Sequence, residues 1–314
     1  MQEQRFDDFL VRVAWHYHKD DLTQEQIARK FQVSRAKISR TLQQAREEGL
    51  VEFRFAPEVE LRMLLEERLR EKYALEEALL VPVAADEIAL RSELAQATAA
   101  YLARALRDGM VVGLGASRTL HQMAHIFAPP STMPNCVFVQ MVGGIAAGDP
   151  RFDTYNVSLK LAERCGGLAR HLFIPAVVKT SDVKSALLKD GQVAETLDLA
   201  ARCDIGIVAI GASGPDCPLV QMGNCETDVL ADLQKRGAIG EIIGRFYDIE
   251  GKPLTYELDE RLIGLDLGQL GDLPFVVAIA GGVARVPAIL GALRQRFIKV
   301  LITDVDTGTS LAEC

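Results

Sequence analysis

The residues best suited to chemistry cluster where apolar runs end. The stretch "VVGLGASRTL" passes through Gly113 and Gly115 into Ser117, Arg118 and Thr119. Backbone N–H groups at a helix start, two hydroxyls and a guanidinium would converge there, an arrangement that suits a phosphate or carboxylate. A tight strand-to-helix turn uses the same residue types, and the spacing matches neither the P-loop nor the dinucleotide fingerprint. The habit recurs at Gly143-Gly144, at Thr180-Ser181, at Gly211-Ala212-Ser213, and at Gly281-Gly282 followed by Arg285. "GAIGEIIGRFYDIEG" adds two carboxylates, Glu241 and Asp248, which could accept paired hydroxyl hydrogen bonds. A cation at one end and a carboxylate at the other suggest a phosphorylated sugar or a sugar-like polyol, held by Gly115, Ser117, Arg118, Thr119, Gly143, Gly144, Thr180, Gly211, Glu241, Asp248 and Arg285.

A second set of residues suits a different partner. From Arg29 to Arg46 the chain carries Arg29, Lys30, Arg35, Lys37, Arg40 and Arg46 and no acid, within a protein of net charge -8. The first 56 residues have a net charge of +1 and the rest -9, so a polyanion would meet only the head. Phe6, Leu10, Val13, Ala14 and Tyr17 share one face of a helix expected over residues 7–18. Thr23 with Gln26 reads as a capping box for a second helix, and Ser34 caps a third with an Ile38, Leu42 and Ala45 stripe, ended by Gly49. Three residues between the second and third helices imply a sharp crossing, a helix-turn-helix whose third helix enters a major groove of double-stranded operator DNA. Gln24, Ser34, Arg35, Lys37, Ser39, Arg40 and Gln43 are the expected DNA contacts, since arginine and lysine can donate to guanine and glutamine can pair with adenine. A solvated basic face on an ordinary helix pair is the competing account. "GLVEFRF" then alternates as a short closing strand would.

These groups need a scaffold. With 314 residues, 49% hydrophobic and 25% charged, the chain has room for two domains: an all-α head over residues 1–56 and a body over 57–314. A linker helix over about 58–73 carries Leu61, Leu64, Leu65 and Leu69 on one face, suited both to the body's core and to a second subunit. In the body, "GMVVGLG", "CVFVQMVGG", "HLFIPAVV", "CDIGIVAIGA", "FVVAIAGG" and "KVLITD" read as strands buried on both faces of a parallel sheet. Helical segments between them complete βαβ units, so the fold class is α/β, Rossmann-like, with ligands expected at the carboxyl ends of strands. No run is long enough to span a bilayer and the start lacks a signal-peptide layout, so a cytoplasmic protein is expected. Cys217 and Cys225 could form a redox pair, although nothing basic nearby would activate them. No metal-ligand spacing and no cofactor motif are present. An enzyme would draw on Glu241, Asp248 and His171 as acid/base groups and Lys179 or Lys184 as Schiff-base lysine, but no nucleophile-base pair is visible.

In order and spacing, "LTQEQIARKFQVSRAKISRTLQQAREEGLV", "VVGLGASRTL", "VQMVGG", "DIGIVAIGA", "GAIGEIIGRFYDIEGKPL" and "AGGVARVPAILGALRQRFIKVLITD" resemble the SorC family of bacterial sugar-sensing transcription regulators (DeoR-like, SorC-type) over nearly the whole chain. The resemblance implies an effector domain related in fold to sugar-phosphate isomerases and glucosamine-phosphate deaminase without their catalysis, and a tetramer. It also implies a phosphate end against Gly115, Ser117, Arg118 and Thr119, an Arg285 where the family usually has lysine, and a hydroxyl-binding carboxylate at Asp248.

Overall fold

The computed structural model describes residues 6–144, 154–214, 217–221, 225 and 227–314. The chain forms two compact units, Met1–Glu60 and Leu61–Cys314.

The first unit contains helices α1 (Asp8–His18), α2 (Gln24–Phe31) and α3 (Arg35–Glu47). Each starts at a side chain that satisfies an orphan backbone donor. Asp7 accepts from Phe9 N–H at 2.9 Å, Thr23 and Gln26 form a reciprocal capping box, and Ser34 accepts from Lys37 N–H at 3.2 Å. Gln32, left-handed at φ 56°, ends α2 and leaves only Val33 and Ser34 before α3. Val13, Ile27, Ala28, Ile38 and Leu42 form the core, with Leu10, Ala14 and Ala45 in a second cluster. Tyr17, expected on the buried face of α1, is 37% exposed. The strand expected in "GLVEFRF" is also absent: residues 50–56 form no strand, and among the described residues no strand or bridge pairs with them. Phe53 and Phe55 are consequently exposed.

Helix α4 (Pro57–Tyr73) leads into the second unit, where Leu65 and Leu69 enter the core while Leu61 and Leu64 face solvent. The second unit continues through β1 (Glu77–Val81), α5 (Glu87–Ala105), β2 (Val111–Leu114), α6 (Arg118–Ile126), β3 (Val137–Gln140), α7 (Thr154–Cys165) and β4 (Leu168–Arg170). Then come α8 (Ser181–Leu188), α9 (Gly191–Ala200), β5 (Ile205–Ala209), β6 (Gly211–Ala212), α10 (Pro218–Gln221), α11 (Thr227–Lys235), β7 (Gly240–Ile242) and β8 (Arg245–Tyr247). Helix α12 (Leu267–Gly271), β9 (Val276–Ile279), α13 (Val286–Arg294), β10 (Val300–Asp304) and α14 (Val305–Glu313) complete it.

Seven strands pair in parallel in the order β1-β10-β9-β5-β2-β3-β4, and β6-β7-β8 form a small antiparallel sheet. Alternate side chains of the central strands feed opposite cores, as the two-residue period of a strand requires. Val277, Ile279, Val300 and Ile302 pack with α5, α6 and α7 residues such as Leu102, Leu120 and Leu161. Val276, Ala278 and Leu301 pack with Leu69, Ile289, Leu293 and Leu311 on the other side. The first and last strands of this sheet, β1 and β10, are neighbours, and Lys72 and Tyr73 add hydrogen bonds to the carbonyls of Leu311 and Ala312.

The sheets of the second unit differ from the sequence reading as well. "HLFIPAVV" is not a strand: β4 lies upstream at Leu168–Arg170, and residues 171–178 make only isolated bridges at Pro175 and Val177. Pro175 has no N–H to give a ladder. Strand β1 and the β6-β7-β8 sheet, conversely, were not anticipated; β7 and β8 are joined by a two-residue turn, Ile243-Gly244, with φ of 49° and 81°. A β-branched residue in that conformation is strained by on the order of 1–3 kcal/mol.

Candidate functional site

The strand order reverses between β5 and β2, because β3 and β4 extend the sheet to one side of β2 and β5, β9 and β10 to the other. Loops leaving adjacent strands at such a point diverge and open a crevice. A cavity of about 150 Å³ lies there, lined by Ala116–Thr119 after β2, Ala209–Gly211 after β5, Ile279–Gly281 and Arg285 after β9, Glu241 of β7, and Glu87, Leu90, Arg91 and Leu94 of α5.

Ser117 caps α6, accepting from Leu120 N–H at 3.0 Å, and is 8% exposed. Arg118 and Thr119 are the first residues of that helix, so their backbone and side chains meet the cavity at its positive end. Arg285 reaches back to donate to the Gly281 carbonyl at 2.7 Å and to Glu87 at 3.2 Å. The Gly281-Gly282 loop is fixed in turn by Asp304, whose Oδ2 accepts from Gly282 N–H at 2.7 Å while its Oδ1 caps α14 through Thr307 N–H at 2.9 Å.

Glu241 is the one deeply buried acid of the cavity, 6% exposed. Its Oε2 accepts from Gly244 N–H at 3.0 Å, tying the carboxylate to the strained β7–β8 turn. Burial pushes its carboxyl up to about 7, against the smaller opposing effect of the Gly244 hydrogen bond. Near neutrality the group can therefore donate as well as accept a hydrogen bond, and a hydroxyl can meet it either way. Gly211 lets it lie flat on β6: a Cβ at that position would sit 2.6 Å from Glu241 Oε1. Glu241 also lines a smaller niche of about 10 Å³, together with Ala116, Val142, Ile243 and Leu262, among others.

The structure thus brings Ser117, Arg118, Thr119, Gly211, Glu241 and Arg285 together. Other residues expected in the site do not line it. Gly115 is buried just before the loop, its N–H donating to Ile207 O at 2.9 Å. Gly143 and Gly144 instead hold residues 174–176 and Ile263 through backbone hydrogen bonds. Thr180 caps α8 on an exposed surface. Asp248 uses its Oδ1 to accept from Glu250 and Lys252 N–H at 3.0 and 2.9 Å, so it closes a β-turn instead of facing the cavity. Sequence reasoning missed α5 altogether, and with it Glu87 and Arg91; Asp86, which accepts from Ala89 N–H, was the available signal of a helix start.

Of the groups an enzyme would need, only Glu241 is in the cavity. His171 stacks on Tyr155 with ring centroids 4.2 Å apart, Lys179 is exposed, and Lys184 donates to the Asp259 carbonyl at 2.8 Å, its pKa lowered mainly by burial. Cys217 and Cys225 are buried free thiols, and burial pushes that of Cys217 well up, the opposite of activation. Among the described residues no His/Cys/Asp/Glu group could hold a metal ion, and no helix is long and apolar enough to cross a membrane.

In the first unit, Arg35, Lys37, Ser39, Arg40 and Gln43 are all exposed along α3, Ser34 sits at its N-terminus, and Gln24 is half-buried at the start of α2. Among the described residues no carboxylate pairs with Arg35, Lys37 or Arg40, whereas Arg29 is taken by Glu25 at 2.6 Å. Lys37 Nζ lies 5.0 Å from the centre of the Phe9 ring, and Gln43 donates to Glu47 at 2.8 Å.

Comparison with known proteins gives one consistent answer. Residues 57–312 match the family model described as "Putative sugar-binding domain". The deoxyribonucleoside regulator of Bacillus subtilis (strain 168) is 31% identical, with 96% of each chain covered. The sorbitol operon regulator of Klebsiella pneumoniae is 26% identical, again with 96% of each covered. The crystal structure of full-length SorC from Klebsiella pneumoniae, 25% identical, superposes with a TM-score of 0.76 over 98% of this chain and all of that one. On the match over residues 57–312 and the near-complete alignment with these regulators, the chain belongs to the sugar-binding-domain family of SorC-type transcriptional regulators.

Proposed function

We propose that this chain is a DNA-binding transcriptional regulator of a carbohydrate or polyol catabolic operon, controlled by a sugar, sugar-phosphate or polyol effector. The observation that carries the reading is the cavity at the strand-order reversal. It combines Arg118, Arg285 and the Ser117-capped helix start with a single buried, protonatable acid, Glu241. Guanidinium groups and a helix N-terminus suit a phosphate, and Glu241 suits the hydroxyls of the same molecule. The relatives are named a sorbitol operon regulator, an erythritol catabolism regulatory protein and a deoxyribonucleoside regulator, which favours regulation over turnover. The same reading takes the fold as that of sugar-phosphate isomerases and deaminases put to sensing.

In this reading residues 1–56 are a helix-turn-helix head, residues 57–314 the effector and oligomerisation domain, and α3 the helix that lies in the major groove. Arg35 and Arg40 read bases or phosphates, with Lys37, Ser39, Gln43, Ser34 and Gln24 around them. The working assembly is a cytoplasmic homotetramer, able to hold two pairs of heads. Effector binding changes subunit packing and so the spacing of the heads, with a coupling of roughly 1–3 kcal/mol.

The test is a thermal-shift screen of the full chain against sugars, polyols and their phosphates, followed by footprinting of operator DNA with and without the hit. A ligand that binds only the folded protein raises its melting temperature by mass action. A phosphosugar hit that alters the footprint is expected. Turnover of a phosphosugar without any effect on DNA binding would replace the regulator with an enzyme.

A further inference from the structure

The α5 wall of the cavity carries a carboxylate already seated among the guanidinium groups. Glu87 Oε1 lies 3.2 Å from Arg285 Nη2 and 3.5 Å from Arg91 Nη2. Arg285 is held by the fold, and Arg91 is the more buried of the two. The Arg285 fork also donates to the Gly281 carbonyl at 2.7 Å, in a loop that Asp304 fixes from below, and the two side chains are only 31% and 21% exposed. Glu87 is the loose member: it is the first residue of α5, and its side chain is 63% exposed.

With Glu87 itself exposed, the pair contributes little to stability, and opening it costs far less than breaking a fully buried pair. Swinging Glu87 outward would leave two oriented forks facing the cavity. A phosphate monoester, nearly a dianion with three acceptor oxygens, can fill both forks better than the single oxygen that Glu87 now presents. A neutral polyol gains nothing there and leaves the pair closed.

We propose that Glu87 is a resident counter-ion that the anionic group of the effector must displace from Arg285 and Arg91. It is a specificity-determining residue: it sets a threshold that a phosphate passes and weaker anions do not. This rests on the cavity being the effector site. Glu87 itself does not hold the ligand; its removal strengthens anion binding.

The experiment titrates the full chain with inorganic phosphate at pH 8 and constant ionic strength, by calorimetry and by thermal shift, with sorbitol as the neutral comparison. The proteins are wild type, Glu87→Gln, Glu87→Ala, Arg285→Gln, and, as a charge control, Glu195→Gln at an exposed position of α9. Losing an exposed ion pair should tighten phosphate binding roughly fivefold in both Glu87 variants. Arg285→Gln should weaken it, Glu195→Gln should match wild type, and any sorbitol response should be the same in wild type and the Glu87 variants. If phosphate binding depends on Arg285 but not on Glu87, the proposal is wrong and the effector cavity stands. If phosphate stabilises neither wild type nor the Glu87 variants, the anion site and the proposal fall together.

Discussion

Replacing Glu241 with glutamine keeps the shape of the side chain and its acceptor for Gly244 N–H while removing its charge. In the folded protein burial moves the carboxyl from its usual 4.5 to about 7, so between these values the folded state holds a proton that the unfolded chain releases. Stability then falls as pH rises through that window, by about 1.4 kcal/mol per pH unit. Over the whole window, 4.5 to about 7, the loss is on the order of 3 kcal/mol, fully present above it and absent below it. Glu241→Gln has no such dependence. Measured as thermal unfolding at pH 5, 6, 7 and 8, the variant should therefore gain on wild type as pH rises. For a unit of this size the gain is on the order of 2–4 °C per kcal/mol, so roughly 5–10 °C in all. Taking the difference at each pH cancels every other titrating group. A difference that stays flat from pH 5 to 8 would refute the reasoning, and would mean that Glu241 is already ionised at pH 5, compensated by a cavity guanidinium.

Three further outcomes follow from the geometry. Arg35→Ala combined with Arg40→Ala should abolish the specific operator footprint and lower the salt slope of DNA binding by about 2, since each lost phosphate contact removes roughly one released counterion; an unchanged footprint would remove α3 from the groove. Ser117→Ala removes the α6 cap and should cost about 1 kcal/mol in urea unfolding and weaken the response to phosphate; a stability loss with an intact phosphate response would make Ser117 a cap alone. Gly251 has φ +75°, and a Cβ there would lie 2.3 Å from the Gly291 carbonyl oxygen, so Gly251→Ala should cost about 2 kcal/mol or more; a variant as stable as wild type would show that the α13 backbone yields easily.

How much of this was legible in the sequence follows from how local each signal is. The head is written in short-range chemistry: a Thr23–Gln26 box, a Ser34 cap and an apolar stripe, each interacting within four residues. The loops after β2, β5 and β9 were legible for a similar reason, since glycine after a buried apolar run marks the end of a strand. Which carboxylate enters the cavity was not. Glu241 and Asp248 belong to one segment, and the choice depends on a hairpin whose turn, Ile243-Gly244, lacks the usual Asn-Gly signature. Gly143 and Gly144 follow a strand as expected, whereas Thr180 follows none; all three serve backbone bridges or a helix cap elsewhere in the unit. Glu87 meets Arg285 across 198 residues of sequence and brings its neighbour Arg91 with it, a juxtaposition set by sheet order.

The pairing of β1 with β10 also bears on how the protein is made. Glu77 through Val81 align with Val300 through Asp304, so β1 leaves the ribosome long before its partner exists. At roughly 5–20 residues per second, on the order of ten seconds or more of translation separates the two strands. Throughout that interval the apolar face of β1 and the buried leucines of α4 have no completed sheet to cover them. The head, built from neighbouring segments, can be folded by then. A nascent chain would therefore pass through a stage with a formed three-helix head and a second unit still dependent on chaperone shielding until its last strand arrives.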